Sequence, residues 1–417
     1  MMQRYRWVDT TVAIGLVCWI VLVPDDPQVQ HRFRLLGVLA IALTWWCLSA
    51  RWHAWSWLQR GVIAGPLTLL AATLVGSSRA ADPVAAWNWA TRSLLPGAAV
   101  YATALAIGLR HDATKRWVLW ALCGMGTVAA ALGLYEFLAH RNPLYEGWIA
   151  NIYYEGYRQM GRVMSTQSHP AAFGFLMVAC VSVAIALSEA VGSGRTRWLA
   201  VICAALSGLM LPTSFSRGSM IGAAVAVSIY GLLMRRPRWV VSTVLALAGL
   251  IAWSSMASWS HASDRFDWHR LLHDPIYEYR LHRLVVTGRI MQDHPFVGVG
   301  LNHFRLRFND YTDDPGPPIP DNMHLLIAAE TGGIGALGWC GFLCALLIGG
   351  VRIVRQSAGL VNQAYAAGLV CATVGMLCNF LTYDTLYWMG SGSLFWLIAG
   401  LLAAEVFRST PPKHQRS

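Results

Sequence analysis

Apolar residues recur along the chain in runs at about 8–23, 35–49, 61–76, 94–109, 117–138, 171–188, 198–212, 218–234, 239–257, 333–351, 364–381 and 393–407. Some fall short of the ~20 residues a straight membrane-spanning helix needs. Their ends must therefore draw on flanking residues or be pinned by interfacial Trp and Arg. The runs lack the period-two alternation of barrel strands. They predict an all-α integral membrane protein with about 12 transmembrane helices. No fixed-period repeat is visible. The first run ends in Pro24-Asp25-Asp26 rather than a small-residue cleavage pattern, so no cleavable signal is expected.

The basic residues orient these spans. With the N-terminus inside, the inside segments carry Arg4/Arg6, Arg51/Arg60, Arg110/Lys115/Arg116, Arg195/Arg197, Arg235/Arg236/Arg238, Arg352/Arg355 and Arg408/Lys413/Arg416. Each has at least two positive charges, as the positive-inside rule requires, and Trp52, Trp55, Trp57, Trp117, Trp198 and Trp239 flank them as an aromatic belt. Both termini are then cytoplasmic. The chain divides into residues 1–257, with spans one to nine and a smaller outside loop at 139–170; a large outside loop at 258–332 with short helices; and 333–417, with spans ten to twelve and a cytoplasmic tail. Loops of that length usually carry function.

Composition agrees with the pattern and narrows the chemistry. Of 417 residues, 56% are hydrophobic and only 13% charged, which excludes disorder and an ordinary soluble enzyme. The formal charge of +11 is dispersed over short loops, so it is no nucleic-acid footprint. The nine cysteines lie inside apolar runs and act as small hydrophobes, with no disulfide framework expected. The large loop holds Arg265, Arg270, Arg280, Arg283, Arg289, Arg305 and Arg307 but no lysine, together with seven of the thirteen histidines. Arginine without lysine suits planar, bidentate recognition of phosphate or carboxylate, although the whole chain is biased toward arginine.

Three segments concentrate candidate chemistry. Pro212-Thr-Ser-Phe-Ser-Arg217-Gly-Ser is the entire outside turn between spans seven and eight. So short a turn keeps Arg217 near the outer headgroup level, where it either snorkels to lipid phosphate or grips an anion inside the bundle. In Arg280-Leu-His-Arg-Leu-Val-Val-Thr-Gly-Arg289-Ile, the residues Leu281, Leu284, Val285 and Ile290 imply an amphipathic helix stopped by Asp293-His294-Pro295. Gly298-Val-Gly300 follows as a turn, and alone it is a weak nucleotide signal. In Pro320-Asp-Asn-Met-His324, Asp321 reads as a helix N-cap, with His324 in the first turn and Gly332-Gly333 ending a short helix.

Arg162, at the outer end of span six, adds a further cation. His269 and His273, four apart with Asp274 adjacent, can face a metal if helical, but nothing supplies clear further ligands. Tyr145, Trp148, Tyr153, Tyr154 and Tyr157 in the smaller loop suit either sugar stacking or the headgroup region.

The order of many spans, an outside Ser-Arg-Gly turn, a long outside loop with Gly288-Arg289 and Asp293-His-Pro-Phe-Val-Gly-Val-Gly300, then Asn322-Met-His-Leu and Ala329-Glu-Thr-Gly-Gly-Ile-Gly335 resembles the O-antigen ligase/polymerase superfamily. The resemblance covers roughly residues 60–405 and is clearest over 212–335. Length and loop plan look more like the ligase branch. It implies a GT-C-like fold in the bacterial inner membrane, with a periplasmic active site. The implied donor is an undecaprenyl-diphosphate-linked glycan, and the acceptor a sugar hydroxyl of lipid A–core. By the same resemblance Arg217 and Arg289 match the family's functional arginines and His324 its histidine. Where many members carry His-Asn, this chain has Asp321-Asn322.

The residues fit that chemistry independently. Displacing a polyprenyl diphosphate from an anomeric carbon develops about two negative charges on the leaving group. No Asp-x-Asp metal motif occurs anywhere in the sequence, so arginines are the expected substitute: Arg217 and Arg289 first, then Arg162 and Arg265. No metal or other cofactor is expected, and the outcome is expected to be inverting. His324 is the expected general base, or the group that orients the acceptor hydroxyl. Two other readings remain: a polymerase of the same superfamily, and a transporter or flippase for an anionic solute. Against the latter, transporters place charges near the midplane in paired halves, whereas these arginines gather on one face.

Overall fold

The computed structural model describes residues 11, 14–18, 56–110, 112–147, 151, 153–244, 275–313, 318–357 and 359–409. Among them the chain is helical, with no strand. The apolar runs at 8–23, 35–49 and 239–257 lie wholly or largely outside these residues, as do Arg265, His269, His273, Asp274 and Trp148.

The other nine runs each become a helix. In chain order, α1 is Trp57–Ser78, and α2 (Pro83–Trp89) passes through a π-helical turn, Ala90–Leu94, into α3 (Leu95–Arg110). Then come α4 (Asp112–Ala139), the short α5 (Pro143–Gly147) and α6 (Tyr154–Gln159), α7 (Pro170–Ala190), α8 (Arg195–Met210) and α9 (Arg217–Leu233). The large loop contributes α10 (Pro275–Asp293) and the single turn α11 (Phe304–Arg307). The chain continues with α12 (Met323–Gln356), α13 (Leu360–Phe380) and α14 (Met389–Ser409). Eight helical segments among the described residues are long and apolar enough to cross a membrane, and α9 is a shorter apolar helix. This is an all-α, multi-pass membrane protein.

Helix α7 is the hub: residues 170–188 are buried throughout, with α8, α9 and α13 packed around it. Without a solvent-driven hydrophobic force inside lipid, such helices associate through close packing, which small residues allow. Gly222 of α9 meets Gly375 of α13 so closely that an added Cβ would lie 2.4 Å from the Gly375 carbonyl oxygen. Elsewhere α1 runs along α12, and α3 along α14.

The two ends of the bundle are tied differently. At the end assigned to the cytoplasm, the 2%-exposed Lys115 pairs with Glu405 and, at 3.5 Å, with Asp112, which also holds Arg408. A lysine buried so deeply is tolerable only because carboxylates meet it. At the opposite end, segments from every outside connection between residues 77 and 392 contact one another. The Asp82 backbone N–H donates to His303 Nε2 (3.0 Å), Arg162 Nε donates to the Ser214 carbonyl (3.2 Å), and Arg305 lies 3.6 Å from Asp384. Segments that the charge pattern assigns to one side thus share one face.

The Gly298-Val-Gly300 stretch has a structural task. Helix α12 breaks at Gly332 (φ 65°, ψ −169°), freeing backbone groups that must find partners. The 295–300 segment supplies them. Gly333 and Ile334 donate to the carbonyls of Pro295 and Phe296, while Val299 and Gly300 donate to those of Ala329 and Glu330. A Cβ at Gly298 would sit 2.3 Å from the Glu330 carbonyl carbon, so only glycine allows this docking.

Candidate active site on the outer face

The centre of the outer face is the last turn of α13 and the connection after it. The turn at 212–216 bends through a left-handed Phe215 (φ 50°), after which Ser216 caps α9 by accepting from the Ser219 N–H. This sets half-buried Arg217 at the first position of α9. The start of α9 is clamped onto α13: Asn379 Nδ2 donates to Ser219 Oγ at 2.6 Å, and Gly218 lies against Thr382. Two serine hydroxyls, Arg217 and the N-terminal end of a 17-residue helix are thereby gathered at one point, an arrangement suited to an anion.

Arg162 reaches the same turn. Its Nε donates to the Ser214 carbonyl, the adjacent Val163 N–H donates to the Thr213 carbonyl (3.0 Å), and its guanidinium lies 5.4 Å from the centre of the Tyr157 ring. The loop that presents it is fixed by Glu136, a 5%-exposed carboxylate at the outer end of α4. Glu136 accepts from the backbone N–H of Met164 (3.2 Å) and Ser165 (2.7 Å) and from Asn142 Nδ2 (2.8 Å). Ser165 is held there at φ 55°. Sequence reasoning passed over Glu136 because an acidic residue closing an apolar run looks like an ordinary interface residue.

His324 approaches from the other flank. Asn322, not Asp321, caps α12, accepting from the Leu325 N–H at 3.1 Å. His324 follows in the first turn, half-buried, with its Nε2 3.4 Å from the Leu377 carbonyl of α13. Its Nδ1 accepts from the Trp339 indole N–H at 3.0 Å. An indole N–H can only donate, so the neutral ring carries its proton on Nε2, directed at Leu377. Residues 377–382 therefore bring the starts of α9 and α12 together, with Arg217 on one side and His324 on the other. Glu330, buried six residues later, accepts from the Tyr387 hydroxyl and from the Phe304 N–H (3.4 Å), joining three outer segments.

Helix α10 departs from the expected facing. Leu281, Leu284 and Val285 are 63%, 40% and 48% exposed, whereas Arg283, Val286, Thr287 and Ile290 form the buried stripe. Arg289 lies on the exposed side. The inward arginine is Arg283, 3% exposed: its guanidinium lies 3.9 Å from the Tyr279 ring centre, and its Nη1 donates to Asp321 Oδ2 at 2.6 Å. Arg280 Nε adds a longer contact to the same oxygen, 3.7 Å. Asp321, expected as a cap, instead takes a left-handed backbone (φ 49°) and becomes the clasp between α10 and α12. Burial pushes its pKa up, opposed by Arg283 and Arg280.

Beside the anion-suited turn, an apolar cavity of about 460 Å³ opens between α7, α8 and α9. It extends from Leu211 and Pro212 at the outer end, past Gly208 and Ala223, to Trp239 and Ser188 at the inner end.

The fold and site define a multi-pass helical membrane protein with arginines and a histidine placed at one end of its bundle. Residues 202–340 match the family model described as O-antigen ligase, and this stretch contains Arg217, Arg289 and His324. Over that stretch, about a third of the chain, the protein is similar to the O-antigen ligase family. No curated protein matches the chain.

Proposed function

We propose that the chain is a metal-independent glycosyltransferase of the O-antigen ligase type in the bacterial inner membrane, with a GT-C-like fold. It moves a glycan from undecaprenyl diphosphate to a sugar hydroxyl of lipid A–core on the periplasmic face. The observation that carries this reading is the placement of Arg162 and Arg217 at the 212–217 turn, with His324 on the other flank of the last turn of α13 and an apolar cavity reaching Leu211 and Pro212 of that turn. The cavity suits the hydrocarbon of a lipid carrier, and the cations suit its diphosphate. In the reaction, the acceptor oxygen attacks the anomeric carbon while the bond from that carbon to the phosphate oxygen breaks. The hydroxyl proton passes to a base, and charge collects on the departing diphosphate, where Arg217 and Arg162 stabilise it, joined by Arg289 and Arg265 from the large loop. His324 accepts that proton or aligns the hydroxyl that loses it.

The deciding experiment supplies purified protein with a lipid-diphosphate glycan, either with lipid A–core or with no acceptor. Ligation to core supports the proposal. Chain elongation without core identifies the polymerase branch instead, and movement of the lipid across a vesicle without transfer identifies a flippase. Transfer is expected to persist in excess chelator, because no Asp-x-Asp is present. Full loss restored by Mg²⁺ would overturn metal independence. Reporter fusions after Arg238 and after Asp310 are expected on opposite sides of the membrane. Same-side signals would remove the periplasmic placement of the site.

A further inference from the structure

His169 caps the start of α7, its Nδ1 accepting from the Ala171 N–H at 3.0 Å. Burial, helped by the nearby Arg162 charge, pushes its pKa down to about 3, so the ring stays neutral at any working pH. It serves as a flat spacer among aromatics. Tyr383 stacks on it (centroids 4.6 Å apart, planes 22° apart), Trp388 leans over it at 5.5 Å, and Tyr157 meets it edge-on at 4.9 Å. Tyr383 and Trp388 are 6.1 Å apart. The rings come from two outer connections, 153–169 and 382–388, and each of Tyr157, Tyr383 and Trp388 stays half-buried rather than enclosed.

Charged groups interleave with this cluster. On one side the Arg162 guanidinium lies over Tyr157 while bonded to the Ser214 carbonyl; on the other, Asp384 follows Tyr383 and meets Arg305 at 3.6 Å. Partly open aromatic rings bordered by hydrogen-bonding groups match a pyranose, which offers an apolar C–H face and a rim of hydroxyls.

We propose that Tyr157, Tyr383 and Trp388 form a stacking platform for a pyranose ring of the glycan substrate. This rests on the transfer reaction proposed above. Because Arg162 touches both the platform and the Ser214 turn, a sugar bonded to a diphosphate held at Arg217 falls within reach of these rings. The platform therefore takes the donor sugar next to the diphosphate.

The test uses the full chain in detergent or vesicles, with lipid-linked glycan and lipid A–core varied separately, in Trp388→Leu and Trp388→Phe. Loss of one stacking contact is expected to raise the KM for the donor about fivefold to tenfold in Trp388→Leu, with most of the effect reversed in Trp388→Phe, while kcat and Tm stay near wild type. A rise confined to the acceptor KM would overturn the donor assignment and move the platform to the acceptor sugar. Unchanged KM values in a folded variant would overturn the platform altogether, as would a lowered Tm in Trp388→Leu with wild-type KM values in Trp388→Phe. In each of these cases transfer itself remains measurable. Its absence in wild type would instead overturn the proposed reaction.

Discussion

Arg217→Lys is expected to lose nearly as much transfer activity as Arg217→Ala, roughly a hundredfold in kcat/KM in either case. A charge-assisted contact made to a group whose charge grows in the transition state is worth ~2–4 kcal/mol. Lysine keeps the charge but not the planar fork that meets two phosphate oxygens at once. The structure makes this demand strict at Arg217, because the residue cannot relocate. Ser216 caps its helix, Asn379 and Thr382 clamp the next two residues, and the 212–216 turn fixes the approach. The measurement is transfer from lipid-linked glycan at varied donor concentration, with Tm recorded for each variant. Wild-type turnover in Arg217→Lys would make this arginine a lipid anchor. The same pair of substitutions at Arg289 tests whether that exposed residue joins the grip. A comparable loss assigns it to the diphosphate, and a change below about threefold makes it a solvated helix arginine.

The spans were legible because membrane helices advertise themselves by length and apolarity alone. Each of the nine runs from residue 61 to 234 and from 333 to 407 became a helix close to its expected ends, except that α12 begins at Met323, ahead of the 333–351 run, and breaks at Gly332. The Ser-Arg turn and the first-turn position of His324 were legible for a similar reason: short connections and caps are local. What sequence missed depends on which face of an element turns inward. Helix α10 carries two overlapping stripes. The more hydrophobic one, Leu281-Leu284-Val285, faces outward, while Arg283-Val286-Thr287-Ile290 is buried because Asp321 offers Arg283 a partner 38 residues away. An ion pair across that separation leaves no periodic trace. The 283, 286, 287, 290 spacing was the available signal, and the charge at its head disguised it. Asp321 was misread as a cap for the mirror-image reason: Asn322 caps equally well, and Asp321 was required elsewhere. The tyrosine and tryptophan at 383 and 388 carried no signal in the sequence, because the His169 ring packed against them lies more than 200 positions earlier.

His324→Ala is expected to cut transfer by ~10²-fold or more while leaving the helices and donor binding intact. The attacking hydroxyl must lose its proton as the new bond forms, and histidine is the side chain whose chemistry suits accepting or directing that proton near neutrality. The geometry adds a condition. With Nδ1 accepting from Trp339 and Nε2 directed at the Leu377 carbonyl, the only basic nitrogen of the neutral ring is already engaged. A proton-accepting His324 must therefore exchange the indole for the acceptor hydroxyl, whereas an orienting His324 keeps the indole and presents its Nε2–H. Trp339→Phe separates the two roles, since it preserves a buried aromatic but removes the donor. If His324 is the base, Trp339→Phe leaves Nδ1 open and the variant retains at least wild-type kcat. If His324 orients the hydroxyl through a ring fixed by Trp339, kcat falls with that bond while donor KM is unchanged. Near-normal turnover in His324→Ala with native donor and acceptor would remove both roles. Asp321, three residues earlier and holding Arg283 through one carboxylate oxygen, would then be the next candidate for the proton.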